Sequence, residues 1–167
     1  MFAMTIGLTA QGSRDFIIDI QVQSGKERAI HVLKDFDNYP EWTGLLEAKL
    51  RGPFAVGEKF DVTIHSKQGK PASFTAKMMR VEPYSFTARQ VIGFGGFFKA
   101  THHFIIDEVD ESNVRLVQHW ELSGLLSVLF KKKIHEALSE FTRMNEDFKR
   151  YVEANPEMIK AENSDVD

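Results

Sequence analysis

From Phe60 to Leu122 the chain keeps a two-residue period, and then it changes to a helical one. Phe60, Val62 and Ile64 alternate with Lys59, Asp61, Thr63 and His65. After the turn at Lys67–Lys70, Phe74, Ala76 and Met78 continue the pattern, and Glu82-Pro83 breaks it. Phe86, Ala88, Gln90 and Ile92 form the next strand, ended by Gly93-Phe94-Gly95-Gly96. Phe98 to Ile106 and Val114 to Leu122 form the last two, with Glu108 to Asn113 as the turn between them. Apolar residues at every second position predict half-buried strands, and short turns predict an antiparallel meander. From about Ser127 the apolar residues Ile134, Leu138, Phe141, Met144, Phe148, Tyr151 and Val152 recur at three- and four-residue steps. That spacing predicts one amphipathic helix of about six turns, closed by Pro156. The sheet's apolar face needs cover, and this helix is the only element large enough to give it.

Upstream, Phe16, Ile18 and Ile20 alternate with Ile17, Asp19 and Gln21 as a first strand. Ser24-Gly25-Lys26-Glu27 reads as a capping box, with Ala29, Ile30 and Leu33 at helical spacing up to about Asp35. Pro40 is placed to open a second short helix, and Leu45 to Leu50 is a weak strand cut by Gly52-Pro53. The order is strand, two short helices, six strands, long helix. It predicts an α+β fold in which a seven-stranded antiparallel curved sheet wraps around the long C-terminal helix. Residues 1–13 are expected to be a flexible N-terminus, 14–153 one domain, and 154–167 a frayed acidic tail.

Composition narrows the functions. The 167 residues fit one domain, and the formal charge of −3 argues against a nucleic-acid binder. With no cysteine, disulfides, thiolate zinc sites and cysteine nucleophiles are excluded. No run of about 18 apolar residues predicts a transmembrane helix, and the first residues make a poor signal peptide, so a cytoplasmic location is the default expectation. Gly93 to Gly96 is no phosphate loop, because no Lys-Ser/Thr or helix start follows it. No cofactor is expected. Fourteen phenylalanines against three tyrosines supply aromatic surface without a polar handle.

Certain segments resemble a known superfamily. Asp35-x-x-x-Tyr39-Pro40-x-Trp42 is similar to a segment between the first helices of helix-grip proteins. That superfamily includes START lipid-transfer domains, the birch-pollen-allergen type, bacterial polyketide cyclase/dehydratase-like proteins and coenzyme Q-binding proteins (the SRPBCC group). Gly57-Glu58 resembles its turn before a strand, and Ala100-Thr101-His102-His103-Phe104 its G-x-H-x-F strand with Ala in place of Gly. Arg115 to Gln118 followed by Ser123-Gly124-Leu125-Leu126 resembles the closing strand and the entry to the long helix. The likeness covers roughly residues 14 to 152. In the SRPBCC branch a Glu often stands four residues before that Gly, where this chain has Trp120, with Glu121 one further on. The resemblance implies a cavity between sheet and helix.

Strand parity says what would line it. Phe98, Ala100, His102, Phe104 and Ile106 share one face of their strand, and Val114, Leu116, Gln118, Trp120 and Leu122 one face of theirs. With the turn centred near Asp110, Phe104 is expected opposite Leu116 and His102 opposite Gln118. The candidate ligand-binding set is Phe60, Val62, Phe74, Met78, Phe86, Gln90, His102, Phe104, Leu116, Gln118, Trp120, Leu138 and Phe141. His102, Gln90 and Gln118 would orient the polar end of a hydrophobic ligand; alternatively, His102 and Gln118 bond each other and close a packed core. His102 is the one catalytic candidate, as a general base, with Tyr39 or Trp120 as donor; no carboxylate clearly shares its face.

On the opposite parity, His103, His119 and Glu121 share the outer face. Two histidines and a carboxylate could make a zinc site, but the expectation is a solvated cross-strand polar face, and no metal is assigned. Along one sheet edge, Phe94, Phe97, Leu125 and Leu126 form a candidate gate, followed by Lys131 to Lys133, which would suit transient contact with a membrane surface. Three functions follow as expectations. The first is binding or transport of a lipid, isoprenoid or polyketide-like molecule. The second is a cofactor-independent cyclase or dehydratase using His102. The third is a protein-docking module using the Phe-rich edge. Oligomeric state is left open.

Overall fold

The computed structural model describes residues 4–8, 14–67, 69–92, 98–124 and 131–155. Strand β1 is Met4–Leu8 and β2 is Arg14–Gln23. Helix α1 (Lys26–Lys34), a 3-10 turn (Phe36–Asn38) and α2 (Tyr39–Trp42) follow. Then come β3 (Leu46–Leu50), β4 (Lys59–Ile64), β5 (Ala72–Glu82), β6 (Ser85–Ile92), β7 (Phe98–Asp110) and β8 (Asn113–Ser123). The long helix α3 spans Lys131–Ala154. All neighbouring strands are antiparallel, in the order β1-β2-β8-β7-β6-β5-β4-β3.

The seven expected strands are β2 to β8. An eighth, β1, lies in the stretch expected to be loose and extends the sheet beyond β2, with Ile6 opposite Phe16. Its backbone gains ladder partners from the otherwise open edge of β2, a pairing that short-range periodicity does not reveal. The tail from residue 156 lies outside the described residues.

The helix is held along β2. Lys149 Nζ donates to the Gln21 carbonyl at 2.9 Å, and the Gln23 amide donates to Glu153 Oε1 at 2.8 Å. Arg28 Nη2 donates to the Val152 carbonyl at 2.8 Å, which satisfies one of the acceptors left at the end of α3. Phe148 and Val152 are fully buried here. Helix α3 packs most closely on β2, also meets α1 and α2, and reaches the far side of the sheet where Ser66 Oγ donates to Glu140 Oε1 at 2.7 Å.

Two local expectations need correcting. Ser24 does not cap α1: its Oγ donates to the Gly25 carbonyl, Gly25 occupies the cap position, and Glu27 accepts from the Tyr84 hydroxyl at 2.9 Å. The capping partner was drawn into a tertiary contact. The β7–β8 register is also displaced by two residues: Phe104 faces Gln118, His102 faces Trp120, and Ile106 faces Leu116. A bulge between Glu108 and Asp110 moves the turn towards Glu111 and Ser112, where Asp110 Oδ1 accepts from the Ser112 amide. The shift is even, so every side chain keeps its face. Gly57 and Gly124, both in motifs singled out above, hold φ of 93° and 98°, a region where a side chain would be strained.

Candidate functional site

Four alanines and a ring of phenylalanines define a partly open cavity of about 220 Å³ under the concave face of the sheet. Ala48, Ala76, Ala88 and Ala100 stand at inner positions of β3, β5, β6 and β7, where larger side chains would fill the space. Phe60, Val62 and Phe74 wall it from β4 and β5, and Phe86, Phe104 and Trp120 from β6 to β8. Phe141 lines it from α3. Phe36, just ahead of α2, meets Phe54, Phe60 and Phe86 at centroid distances of 5.2, 5.1 and 5.7 Å and closes that end. The rings meet mostly edge to face, the arrangement aromatic quadrupoles favour.

His102 is the polar group at the centre. Its ring stacks on Trp120 at 4.1 Å and lies 3.8 Å from Phe104. Nε2 stands 2.9 Å from Gln118 Oε1. Gln118, fully buried, in turn donates from Nε2 to Asn145 Oδ1 of α3 at 2.5 Å. With Gln118 placed to accept at Oε1, His102 carries its hydrogen on Nε2 and Nδ1 keeps its lone pair, while Asn145 Nδ2 is left buried without a partner among the described residues. Nδ1 makes no hydrogen bond among the described residues, while the ring forms part of the cavity wall. Burial pushes the imidazole well below its ordinary pKa, outweighing the bond to Gln118, so the ring is neutral at physiological pH. Gln90, another polar side chain lining the cavity, likewise has no partner among the described residues, and Arg89 beside it lines the cavity while donating from Nε to Thr101 Oγ1 at 3.3 Å.

The cavity touches most of the sequence-derived ligand set, with exceptions. Met78 and Leu116 are fully buried in the core and Gln118 is spent on His102 and Asn145, so none of the three lines the cavity. Parity assigns a face but not a depth: these residues lie where neighbouring side chains cover them. Leu138 falls on α3, but its side chain lies outside the described part, as do the gate residues Phe94, Phe97, Leu125 and Leu126. Tyr39 borders the cavity, yet its hydroxyl donates to the Leu33 carbonyl at 2.6 Å. Burial, with Asp35 nearby, raises its pKa and keeps it neutral, so it holds the α1–α2 corner instead of serving a reacting group.

Comparison with known proteins bears on the architecture. No family model and no curated protein matches the sequence. Solved structures do. A protein from Arthrobacter aurescens superposes with a TM-score of 0.66 at 10% identity, over 89% of this chain and 91% of that one. The di-domain ARO/CYC StfQ from the steffimycin biosynthetic pathway gives 0.66 at 16% identity, over 89% of this chain and 52% of that one. A START superfamily protein from Mycobacterium smegmatis gives 0.57 at 14% identity, over 79% and 97%.

The chain has the helix-grip fold.

At such identities the likeness concerns architecture and leaves activity to the site itself. The helix-grip sheet explains what periodicity missed. The inner alanines carried the signal for a void, because small residues repeated at apolar positions of adjacent strands leave room. Phe36, Leu46, Ile64, Arg89, Phe98 and Leu122 also line the cavity; Ile64, Phe98 and Leu122 follow from strand parity, whereas Phe36, Leu46 and Arg89 do not. Among the described residues no helix is long and apolar enough to cross a membrane.

Proposed function

We propose that the protein binds a compact, mainly apolar molecule carrying one hydrogen-bond donor, such as a hydroxyl or phenol, in the helix-grip cavity. The observation that carries this is His102: a neutral imidazole whose Nδ1 has no partner among the described residues, at the wall of a mainly apolar chamber that Gln90 and Arg89 also line. A neutral acceptor favours a donor over a carboxylate, which would meet a lone pair instead of a proton. The chamber is smaller than the roughly 300–1,000 Å³ usual for drug-sized ligands. That favours a phenolic polyketide-like or short isoprenoid molecule over a two-chain lipid.

The cyclase or dehydratase reading keeps one specific support, a histidine facing the cavity on a fold shared with ARO/CYC proteins. Two features favour binding over turnover. The imidazole is oriented by an amide instead of a carboxylate, and its basicity is depressed, whereas a general base works best near the operating pH. Denaturing extraction of the purified protein followed by mass spectrometry tests the proposal. A stoichiometric apolar compound with a hydroxyl is the expected result. An empty protein that also fails to bind a hydrophobic fluorophore would overturn it. Turnover abolished in His102→Ala with binding intact would establish the enzyme reading instead.

A further inference from the structure

On the outer face of the sheet, behind His102, the cross-strand ladder brings two more histidines together. His103 of β7 and His119 of β8 are directly opposed, and their rings stack at 5.1 Å. One row further along, Glu121 of β8 is paired with Asp15 of β2. One donor atom from each of His103, His119 and Glu121 falls within 4.8 Å of the others. His103 Nε2 lies 3.4 Å from Glu121 Oε1, and His119 Nε2 lies 3.9 Å from Asp15 Oδ1.

We infer that His103, His119 and Glu121, with Asp15 beside them, form a binding site for a divalent transition-metal cation of the zinc type. Three observations carry the inference. First, Nε2 of His103 and of His119 are both buried and both lack a hydrogen-bond partner among the described residues. Buried imidazole nitrogens are normally satisfied, and the carboxylates stand beyond good hydrogen-bond range. Second, the spacing suits a metal. On a tetrahedral zinc with bonds of about 2.0–2.1 Å, adjacent donors stand about 3.3–3.4 Å apart. The His103–Glu121 separation already has that value; His119 Nε2 and Asp15 Oδ1 stand at 3.9 Å, and the triad's donors, which lie within 4.8 Å of one another, would draw together on binding. Third, His103 is oriented from behind: Thr87 Oγ1 lies 3.0 Å from Nδ1. With Nδ1–H donated to the hydroxyl, Nε2 presents a lone pair, the usual role of an outer-shell partner to a ligating histidine.

The charges agree. Two neutral imidazoles and two carboxylates match a divalent cation. The nearby guanidinium of Arg80, which acts on His103, has its own partner in Glu82 at 3.5 Å. The ligands come from β2, β7 and β8, so a bound cation would join three strands across the middle of the sheet.

The test is titration of ZnCl2 into tag-free, chelator-treated full-length protein by calorimetry, with Co2+ absorbance as a report on coordination. The expected result is one equivalent bound in the micromolar range or tighter. His103→Gln or His119→Gln should weaken it by about 100-fold or more, and Glu121→Gln or Thr87→Val by about tenfold. His65→Gln, at a histidine paired with Glu47 elsewhere, should leave it unchanged. Circular dichroism checks that each variant is folded. A measurement without substitutions stands beside these: Zn2+ should shift the imidazole nitrogen resonances of His103 and His119 and leave His65 in place. No binding below millimolar zinc, binding that survives both histidine substitutions, or shifts confined to other histidines would overturn the proposal.

Discussion

Replacing Ala100 by Leu tests whether the chamber is open, because the sign of the stability change depends on it. Ala100 sits on β7 at an inner position yet keeps accessible surface, and that surface belongs to the cavity. Its cross-strand neighbours there are Gln90 and Leu122. The substitution adds three carbons. At about 0.8 kcal/mol per buried methylene the gain is at most about 2.4 kcal/mol. Ordering the leucine side chain removes about 0.5–1 kcal/mol of that. The expected outcome is stabilisation of about 1–2 kcal/mol, read as a higher urea midpoint at unchanged slope. Binding of a hydrophobic fluorophore should fall in the same variant, since the added side chain occupies the ligand's space. In a core already packed to normal density, the same change would cost about 1–3 kcal/mol. A clear destabilisation would therefore refute the open chamber.

Other consequences follow from the polar groups. Gln118→Leu strands His102 Nε2–H and Asn145 Oδ1 in the core and should cost about 2–5 kcal/mol by urea denaturation; adding Asn145→Leu should recover part of the loss. Tyr39→Phe removes the bond to the Leu33 carbonyl and should cost about 1–2 kcal/mol in the same assay. Because His102 has its pKa lowered by folding, the unfolded chain takes up the proton first as pH falls below about 6.5. Stability should be fully present above that pH and decline below it, by up to about 1.4 kcal/mol per unit for this group. Urea midpoints at pH 7.5 and 5.5 should show the decline, and His102→Gln should make it shallower; His103, lowered chiefly by burial, adds to it in the same direction.

The element order was legible because each strand from β4 to β8 alternates cleanly and α3 does not. The strand β1 was not, since its pairing depends on an edge of β2 that only the folded sheet presents. Parity placed His102, Gln90 and Gln118 on one face, but which of them reaches open space depends on depth. Gln118 is consumed by Asn145, a residue whose position on α3 relative to the sheet no strand pattern encodes. The two-residue register change combines a turn displaced to Glu111-Ser112 with a one-residue bulge beside it, where local sequence is permissive. His103 and His119 share a parity that shows in the sequence; their direct opposition and unpartnered nitrogens do not.

The most direct measurement is calorimetric titration with 1-naphthol beside naphthalene, in the wild-type protein and in Ala100→Leu. The account predicts one-to-one binding, tighter for the naphthol because its hydroxyl can donate to His102 Nδ1, and loss of both in the variant. No binding of either compound, or equal binding in the filled variant, would contradict it.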